Sequence, residues 1–276
     1  MSPCFIRKVQ NGVLSPVEYE ADSLATAAEF EPVGIYTVTN TYNHDQVLKL
    51  DAHLTRMEDS AHRSGMDIQL DKKALRKALR EVIEASGFED VRFRITIPAS
   101  APDTWIMSVE PFQPPSPSVY SDGVKVVTLT ETARHNPAAK TTDWMKDRRA
   151  VETQLGKDIY TALLVSPEGD ILEGLSSNFY AIINDQLFTA GEGVLAGIAQ
   201  QIVFEVATNI IPVIKTAPHI DQCVIMQEAF LTSASRGIMP VVQIDEVVLG
   251  DGTPGPKTKA LWQAYQVWVK THLEPI

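Results

Sequence analysis

The 276-residue sequence has little of several features that mark specialised classes of protein. Cys4 and Cys223 are its two cysteines, so no disulfide scaffold is expected, and we interpret both as free thiols of a reducing compartment. Lys and Arg number 24 against 35 Asp and Glu. The formal net charge of −11 argues against nucleic acid or an anionic membrane as the main partner.

Long apolar runs and familiar ligand-binding motifs are also missing. No run of about 18 apolar residues is present, so no membrane span is expected. The start of the sequence has no apolar signal core. There is no P-loop, no GxGxxG and no Cys/His cluster with zinc spacing, so no metal site is predicted. We therefore expect a cytoplasmic protein.

A proline-rich stretch divides the chain. Four prolines lie within residues 111–117, where they can continue neither a helix nor a central strand. We expect a smaller N-terminal α/β domain at residues 1–112, a linker at 113–121, and a larger C-terminal domain with a mixed sheet at 122–276. The predicted fold class is α/β (α+β).

Apolar periodicity predicts the elements of both domains, after an irregular segment at residues 1–32. In the first domain these are a hairpin of strands 34–42 and 46–50, a helix capped by Asp51 that carries Arg56, a helix from Asp71 to Gly87, and a strand at 91–97. In the second they are strands at 124–130, 160–165, 171–183, 228–233 and 239–244, and helices at 144–155, after Gly197 and from Pro256.

Lys140 follows the strand at 124–130 and has small residues on both sides. A lysine held partly away from water loses its proton more easily, and the neutral amine is the nucleophile that forms Schiff bases. Taken alone the signal is weak, because most lysines are solvated surface charges. The hypothesis depends on what accompanies Lys140.

Three distant features supply different requirements of one cofactor. Arg56 suits a phosphate clamp, although a surface arginine is the commoner case. Glu173 lies in an apolar stretch, where a carboxylate needs a partner unless it faces water at a strand edge. Gly197 precedes a helix whose free N–H groups attract phosphate, although such glycines usually only make turns. Together with Lys140 they are what a pyridoxal-phosphate site needs.

At these residues the sequence resembles the class IV aminotransferase family, the fold type IV pyridoxal-phosphate enzymes. That family includes branched-chain and D-amino-acid aminotransferases and aminodeoxychorismate lyase. The resemblance runs from about residue 34 onward. Its motifs are residues 53–61 (HLTRMEDSA), the Lys140 segment, 172–179 (LEGLSSNF), 193–199 (GVLAGIA) and 228–241 (EAFLTSASRGIMPV).

The resemblance implies a two-domain fold type IV architecture, a homodimer and pyridoxal 5′-phosphate as cofactor. It implies that Lys140 forms the internal aldimine and moves a proton between the substrate Cα and the cofactor C4′. Glu173 would pair with the pyridine nitrogen. Arg56 would bind the phosphate with the backbone amides of Ile198 and Ala199. Further expected site residues are Gly197, Ser233, Ala234 and Ser235 near the phosphate, and Tyr36, Arg92, Arg94, Arg134 or Arg236 near the substrate.

Several positions depart from the family pattern. Ala199 and Gln200 stand where members usually have threonine and arginine, and Ala234 matches a phosphate-binding threonine. Ser233 or Ser235 could substitute for the hydroxyl missing at Ala234. Each lost hydroxyl that nothing replaces should weaken phosphate binding by ~0.5–1.5 kcal/mol. Asp143 and Thr37 also differ from the common residues.

The leading interpretation is an aminotransferase of amino-acid metabolism, which transfers an amino group between an amino acid and a 2-oxo acid. A lyase of the aminodeoxychorismate type, which releases pyruvate, shares the same cofactor residues. A third interpretation is a non-catalytic family member with an eroded site. The changes at Ala199 and Ala234 motivate it, and Lys140, Glu173 and Arg56 together argue against it.

Overall fold

The computed structural model describes residues 4–130, 134 and 136–276, so His135 in the Lys140 stretch lies outside the described residues. The chain divides into two compact units. Unit 1 comprises Met1–Gln113, Ala138–Asp147 and His272–Ile276, and unit 2 comprises Pro114–Pro137 and Arg148–Thr271. Unlike the predicted first domain, unit 1 includes the segment with Lys140 and the C-terminal residues. The predicted domain limits stay a prediction.

Unit 1 contains an antiparallel sheet of five strands. The strands are β1 Phe5–Gln10, β2 Val13–Pro16, β3 Gly34–Asn40, β5 Val91–Pro98 and β6 Thr104–Pro111. Their order in the sheet is β2-β1-β6-β5-β3.

The expectation of an irregular segment at residues 1–32 is wrong. β1 and β2 form a hairpin around Asn11 and Gly12, whose φ angles are 51° and 74°. Asn-Gly is the residue pair that a two-residue hairpin loop of positive φ favours, so the signal was present in the sequence. A short helix, α1 Leu24–Ala27, follows and is capped by Ser23.

The predicted hairpin of residues 34–50 is reduced to a single antiparallel bridge between Tyr42 and Gln46. Strand β4, Gln46–Leu48, pairs with β16, Leu273–Pro275, whereas β3 pairs with β5. The pairing of β4 joins segments more than 200 residues apart in the chain. No local turn signal could indicate it.

Two longer helices of unit 1 have different starts. Helix α3, Lys72–Ser86, begins as predicted, because the Asp71 side chain accepts bonds from the N–H groups of Lys73 and Ala74. It ends at Gly87, whose φ of 70° is left-handed. Helix α2, Leu50–Arg63, starts after Lys49 in a left-handed conformation, so Asp51 is not its cap and lies in its first turn.

The core of unit 1 lies between the two helices and one face of the sheet. Residues Val91, Phe93, Ile95 and Ile97 alternate along β5 and are fully buried. They pack in one cluster with the apolar faces of the helices, which are Leu50, Leu54, Met57 and Ala61 of α2 and Leu75, Leu79, Val82 and Ile83 of α3. The opposite face of β5 therefore carries Arg92, Arg94 and Thr96.

Unit 2 contains a nine-stranded mixed sheet. Its main order is β12-β11-β10-β13-β14-β7-β8-β9, with β15 beside β14. The β14–β7 and β7–β8 pairs are parallel, as is β11–β12. The strands are β7 Val124–Leu129, β8 Ile159–Val165, β9 Ile171–Gly174, β10 Ser177–Ile183, β11 Gln186–Phe188, β12 Val213–Ile214, β13 Glu228–Ser233, β14 Gly237–Ile244 and β15 Val247–Val248.

Helices complete the chain. Helix α5, Thr142–Glu152, begins two residues after Lys140. Unit 2 also contains α4 Pro117–Ser121, within the expected linker, α6 Ile198–Ala207, a 3-10 helix at Ile220–Ile225 and α7 Pro256–Thr271. Among the described residues, no helix has the length and apolar character that a membrane crossing requires. Cys4 and Cys223 are buried free thiols.

Candidate active site

Backbone hydrogen bonds within unit 1 fix the position of Lys140. Its carbonyl accepts from the N–H of Tyr36 on β3 over 3.0 Å, and its own N–H donates to Ser60 Oγ on α2 over 3.1 Å. Ser60 Oγ in turn donates to the carbonyl of Arg56 over 2.8 Å. A sheet strand and a helix therefore both hold the lysine backbone in place.

The Lys140 side chain is half-buried and stands over an aromatic face. Its Nζ is 4.6 Å from the centroid of the Tyr36 ring. An ammonium at this distance is attracted by the ring quadrupole. Tyr36 is itself buried and packs with Ala28 and Met145. The ring thus forms a wall beside the amine.

Arg56, Thr37 and His53 form a polar chain in the same unit. Arg56 Nη2 donates to Thr37 Oγ1 over 3.3 Å, and Thr37 Oγ1 lies 2.8 Å from His53 Nδ1. Because the threonine oxygen accepts from Arg56, its own proton is available to His53 Nδ1.

Burial governs the protonation of this chain. Loss of hydration, followed by the charges of Arg56 and Lys140, lowers the pKa of His53 well below its ordinary value. Loss of hydration also lowers the pKa of Arg56 to about 10, which leaves it charged at neutral pH. The group therefore combines cationic Arg56 with a neutral histidine. Such a guanidinium can bind a phosphate or carboxylate.

Glu173 in unit 2 is a buried carboxylate with both oxygens engaged. Arg134 Nη1 donates to its Oε1 over 2.5 Å, and the N–H of Leu195 donates to its Oε2 over 3.3 Å. Strand β9 and its partner β10 position the side chain. Arg134 was expected near the substrate; its guanidinium lies on Glu173, and the substrate role stays a prediction.

The start of helix α6 lies two residues beyond Leu195. Its N-cap, Gly197, has no side chain, so none caps the free N–H groups of the first turn. A Cβ on Gly197 would collide with Asn178 Oδ1. Ile198, Ala199 and Gln200 follow and are all buried. The first turn of α6 therefore has uncapped backbone N–H groups, the kind of donors that bind an anion at a helix start.

The arginines of β5 are engaged elsewhere in unit 1. Arg94 is buried against Glu31, donating from Nε over 2.8 Å and also from Nη2. Thr96 Oγ1 donates to the same carboxylate. Arg92 is half-exposed and lies 3.5 Å from Glu110. These contacts favour structural roles for Arg92 and Arg94. Their expected role in binding a substrate carboxylate stays a prediction.

The Ser/Thr cluster after β13 is organised by Arg236. Its Nε donates to Ser233 Oγ over 2.8 Å, and its Nη2 donates to Ser176 Oγ over 2.9 Å. Ser233, Ala234 and Ser235 are half-buried. The Ser233 hydroxyl keeps its own proton available as a donor, because it accepts from Arg236.

The family model for class IV amino-transferases matches residues 34–244. The chain belongs to this family. The predicted resemblance is confirmed, and class IV aminotransferases are enzymes that use pyridoxal 5′-phosphate.

Named relatives of this class IV aminotransferase share about a quarter of its residues. A putative branched-chain-amino-acid aminotransferase of Methanocaldococcus jannaschii is 23% identical, over 80% of this chain and 82% of the relative. A D-alanine aminotransferase of Bacillus licheniformis is 24% identical, over 84% of this chain and 86% of the relative.

A solved structure supports the fold. The branched-chain amino acid aminotransferase of Escherichia coli superposes with a TM-score of 0.79 at 19% identity, over 98% of this chain and 95% of that chain. At this identity the likeness shows the fold alone. The predicted fold type IV architecture is confirmed.

Each unit of this class IV aminotransferase carries groups whose chemistry suits the cofactor of the family. Lys140 offers an amine beside an aromatic wall, and Glu173 offers a buried carboxylate suited to a pyridine nitrogen. The start of α6 offers uncapped N–H groups. In addition, Gln200 Nε2 is buried and has no hydrogen-bond partner among the described residues, a donor that an added phosphate could use.

Three polar residues near these groups were given no role from the sequence. His53 and Asn178 lie within the quoted motifs, and Gln200 was noted only as a departure. A buried polar residue cannot be recognised from its type alone, because histidine, asparagine and glutamine are usually exposed or satisfied by solvent. Their proximity to Arg56, Gly197 and the α6 turn becomes visible only in three dimensions.

Proposed function

We propose that the chain transfers an amino group between an amino acid and a 2-oxo acid, with Lys140 as the residue that attaches the cofactor. The observation that carries the proposal lies within unit 2. The Leu195 N–H bonds to Glu173 Oε2 two residues before the cap of α6. The segment from Leu195 to Gly197 therefore connects Glu173, a carboxylate suited to the pyridine nitrogen, with the anion-binding start of α6.

Pyridoxal phosphate, when bound, supplies an aldehyde that condenses with amines and a pyridine ring that delocalises the electron pair left on the substrate Cα. Glu173 would hold a proton on the ring nitrogen, and Arg134 would keep Glu173 in place. The α6 amides and Arg56 would bind the phosphate. Lys140 Nζ would accept the proton from the substrate Cα and would deliver it to the former aldehyde carbon of the cofactor, C4′.

Tyr36 and Ser60 would orient the amine. Ser60 and the Tyr36 N–H hold the lysine backbone, while the Tyr36 ring limits the directions that Nζ can take. Neutral His53 cannot add positive charge beside Lys140. We further propose a homodimer, on the family resemblance, which sedimentation of the purified protein would test.

The deciding experiment compares wild type with Lys140→Ala, using Lys146→Ala as control because Lys146 is an exposed lysine of α5. Wild type and the control should bind pyridoxal phosphate with visible absorbance, and borohydride should fix the cofactor to Lys140. L- and D-amino acids should then be added in turn. Loss of the visible band with formation of pyridoxamine phosphate supports transamination.

Two other outcomes contradict the proposal. Pyruvate release from aminodeoxychorismate, with no pyridoxamine phosphate from any amino acid, would identify a lyase. A colourless protein that takes up no cofactor, with Lys140→Ala indistinguishable from wild type, would identify a non-catalytic member.

A further inference from the structure

The first turn of α6 contains a buried polar atom that nothing in unit 2 satisfies among the described residues. Gln200 is 6% exposed, and its Nε2 has no hydrogen-bond partner there. A buried amide nitrogen without an acceptor costs free energy unless a ligand supplies the acceptor. The atom therefore indicates a missing partner.

The position of Gln200 directs its side chain to the helix start. It is the third helical residue after the Gly197 cap. Side chains of a helix tilt toward its N-terminus, and Gln200 Cβ lies 3.5 Å from where a Cβ on Gly197 would stand. The side-chain amide and the free backbone N–H groups of this turn thus converge on one place.

The neighbouring residues explain why a side-chain donor is needed here. Ala199 has no hydroxyl, and Asn178 cannot donate from the oxygen that faces Gly197, while its Nδ2 is bound to the carbonyl of Leu195 over 2.8 Å. From α6 itself, a phosphate at this turn would otherwise receive backbone donors alone. Among the described residues, Gln200 Nε2 is the buried side-chain donor without a partner at this turn.

We propose that Gln200 Nε2 donates a hydrogen bond to the phosphate group of the cofactor and replaces the hydroxyl that Ala199 lacks. The inference rests on the proposed function, because it assumes the phosphate of pyridoxal phosphate at α6. It assigns to Gln200 a binding role that does not involve the reacting atoms.

The test compares Gln200→Leu, which keeps the side-chain size, with Gln201→Ala on the next, half-buried position as control. Dissociation constants are measured for pyridoxal phosphate and for pyridoxal, which lacks the phosphate. Gln200→Leu should bind pyridoxal phosphate about 10- to 100-fold more weakly, the range for one hydrogen bond to a charged group. Its affinity for pyridoxal should be unchanged, as should both affinities of the control.

The cofactor-free proteins provide a second readout. Replacing an unpaired buried amide by an apolar side chain of similar shape should not lower the melting temperature. Inorganic phosphate should raise the melting temperature of wild type and raise that of Gln200→Leu less. Gln200→Glu, which places a carboxylate at the phosphate, should weaken pyridoxal phosphate binding more than Gln200→Leu does.

The outcomes separate this inference from the proposed function. Equal losses for pyridoxal and pyridoxal phosphate, no loss for either, or a lower melting temperature of cofactor-free Gln200→Leu would overturn the role of Gln200, while Lys140-dependent binding in wild type would leave the proposed function intact. Conversely, Gln200-dependent stabilisation by inorganic phosphate without Lys140-dependent uptake would support the site and overturn the proposed function.

Discussion

Arg134 Nη1 lies 2.5 Å from Glu173 Oε1, and the two side chains are 6% and 5% exposed. When one of two buried opposite charges is removed, the other is left unpaired away from water, which destabilises the fold. The Leu195 N–H occupies the other carboxylate oxygen. The arginine that was expected at the substrate thus determines where the Glu173 carboxylate stands.

Removing Arg134 should strongly destabilise the cofactor-free protein. In Arg134→Met, Glu173 becomes a buried charge without its partner, and the free energy of unfolding should fall by about 3–5 kcal/mol. The double variant Arg134→Met/Glu173→Gln should lose less, since no unpaired charge remains. Urea unfolding measures both.

Arg92→Met is the matched control for that experiment. The Arg92 side chain is 41% exposed at its pair with Glu110, and an exposed pair contributes about 0–1 kcal/mol. If Arg134→Met cost no more than Arg92→Met, the buried pair would not have the importance assigned to it.

Arg94 should affect stability and leave substrate binding unchanged. Its guanidinium contacts Glu31 through two nitrogens, and Ser108 Oγ donates to the same carboxylate over 3.3 Å. Arg94→Met should therefore lower the free energy of unfolding by about 3–5 kcal/mol. Arg94→Lys should recover only part of it, because an ammonium cannot form the two-pronged contact.

Steady-state kinetics of Arg94→Lys distinguish the two roles of Arg94. With a structural role, KM for the amino acid stays near wild type in the fraction that is folded. A large increase in KM with unchanged stability would instead restore Arg94 to the carboxylate-binding role expected from the sequence.

Local signals were enough for much of the fold. The alternation from Val91 to Ile97 identified β5 and its buried face, and Asp71 and Gly87 marked both ends of α3. These features depend on residues close in the chain, because side-chain alternation defines a strand face and capping side chains bond to the ends of their own helix. The Asn11-Gly12 hairpin belongs to the same class and was missed.

Long-range pairing could not be predicted in this way. β4 pairs with a strand at the other end of the chain, and Arg94 pairs with Glu31 across 63 residues. Nothing local distinguishes a buried arginine from a solvated one, because the partner decides which it becomes. The expected cofactor residues come from the family resemblance, whereas the contacts of Arg134 and His53 and the burial of Gln200 are visible only in the fold.

His53 should make stability depend on pH just below neutrality. Its folded-state pKa is lowered, mainly by burial, so the unfolded chain binds the proton first as the pH falls. The free energy of unfolding is therefore unaffected by His53 above the unfolded pKa of about 6.5. Below that pH it falls by up to about 1.4 kcal/mol per pH unit.

Urea unfolding at pH 7.5, 6.5 and 5.5 measures the effect of His53. His53→Gln should have a shallower loss of stability toward pH 5.5 than wild type. His62→Gln, at an exposed histidine of the same helix, should keep the wild-type slope. An identical slope in wild type and His53→Gln would contradict the buried, neutral histidine.

Gly197→Ala should destabilise the cap of α6, because the new Cβ would collide with Asn178 Oδ1. Overpacking of this kind costs about 1–3 kcal/mol in free energy of unfolding. Gly156→Ala is the control, since its Cβ would meet only Ile159 Cγ1 at 3.7 Å. Adding Asn178→Ala to Gly197→Ala removes the colliding atom, so the double variant should lose less stability than the sum of the single changes. Additive losses would show that the collision is not the cause.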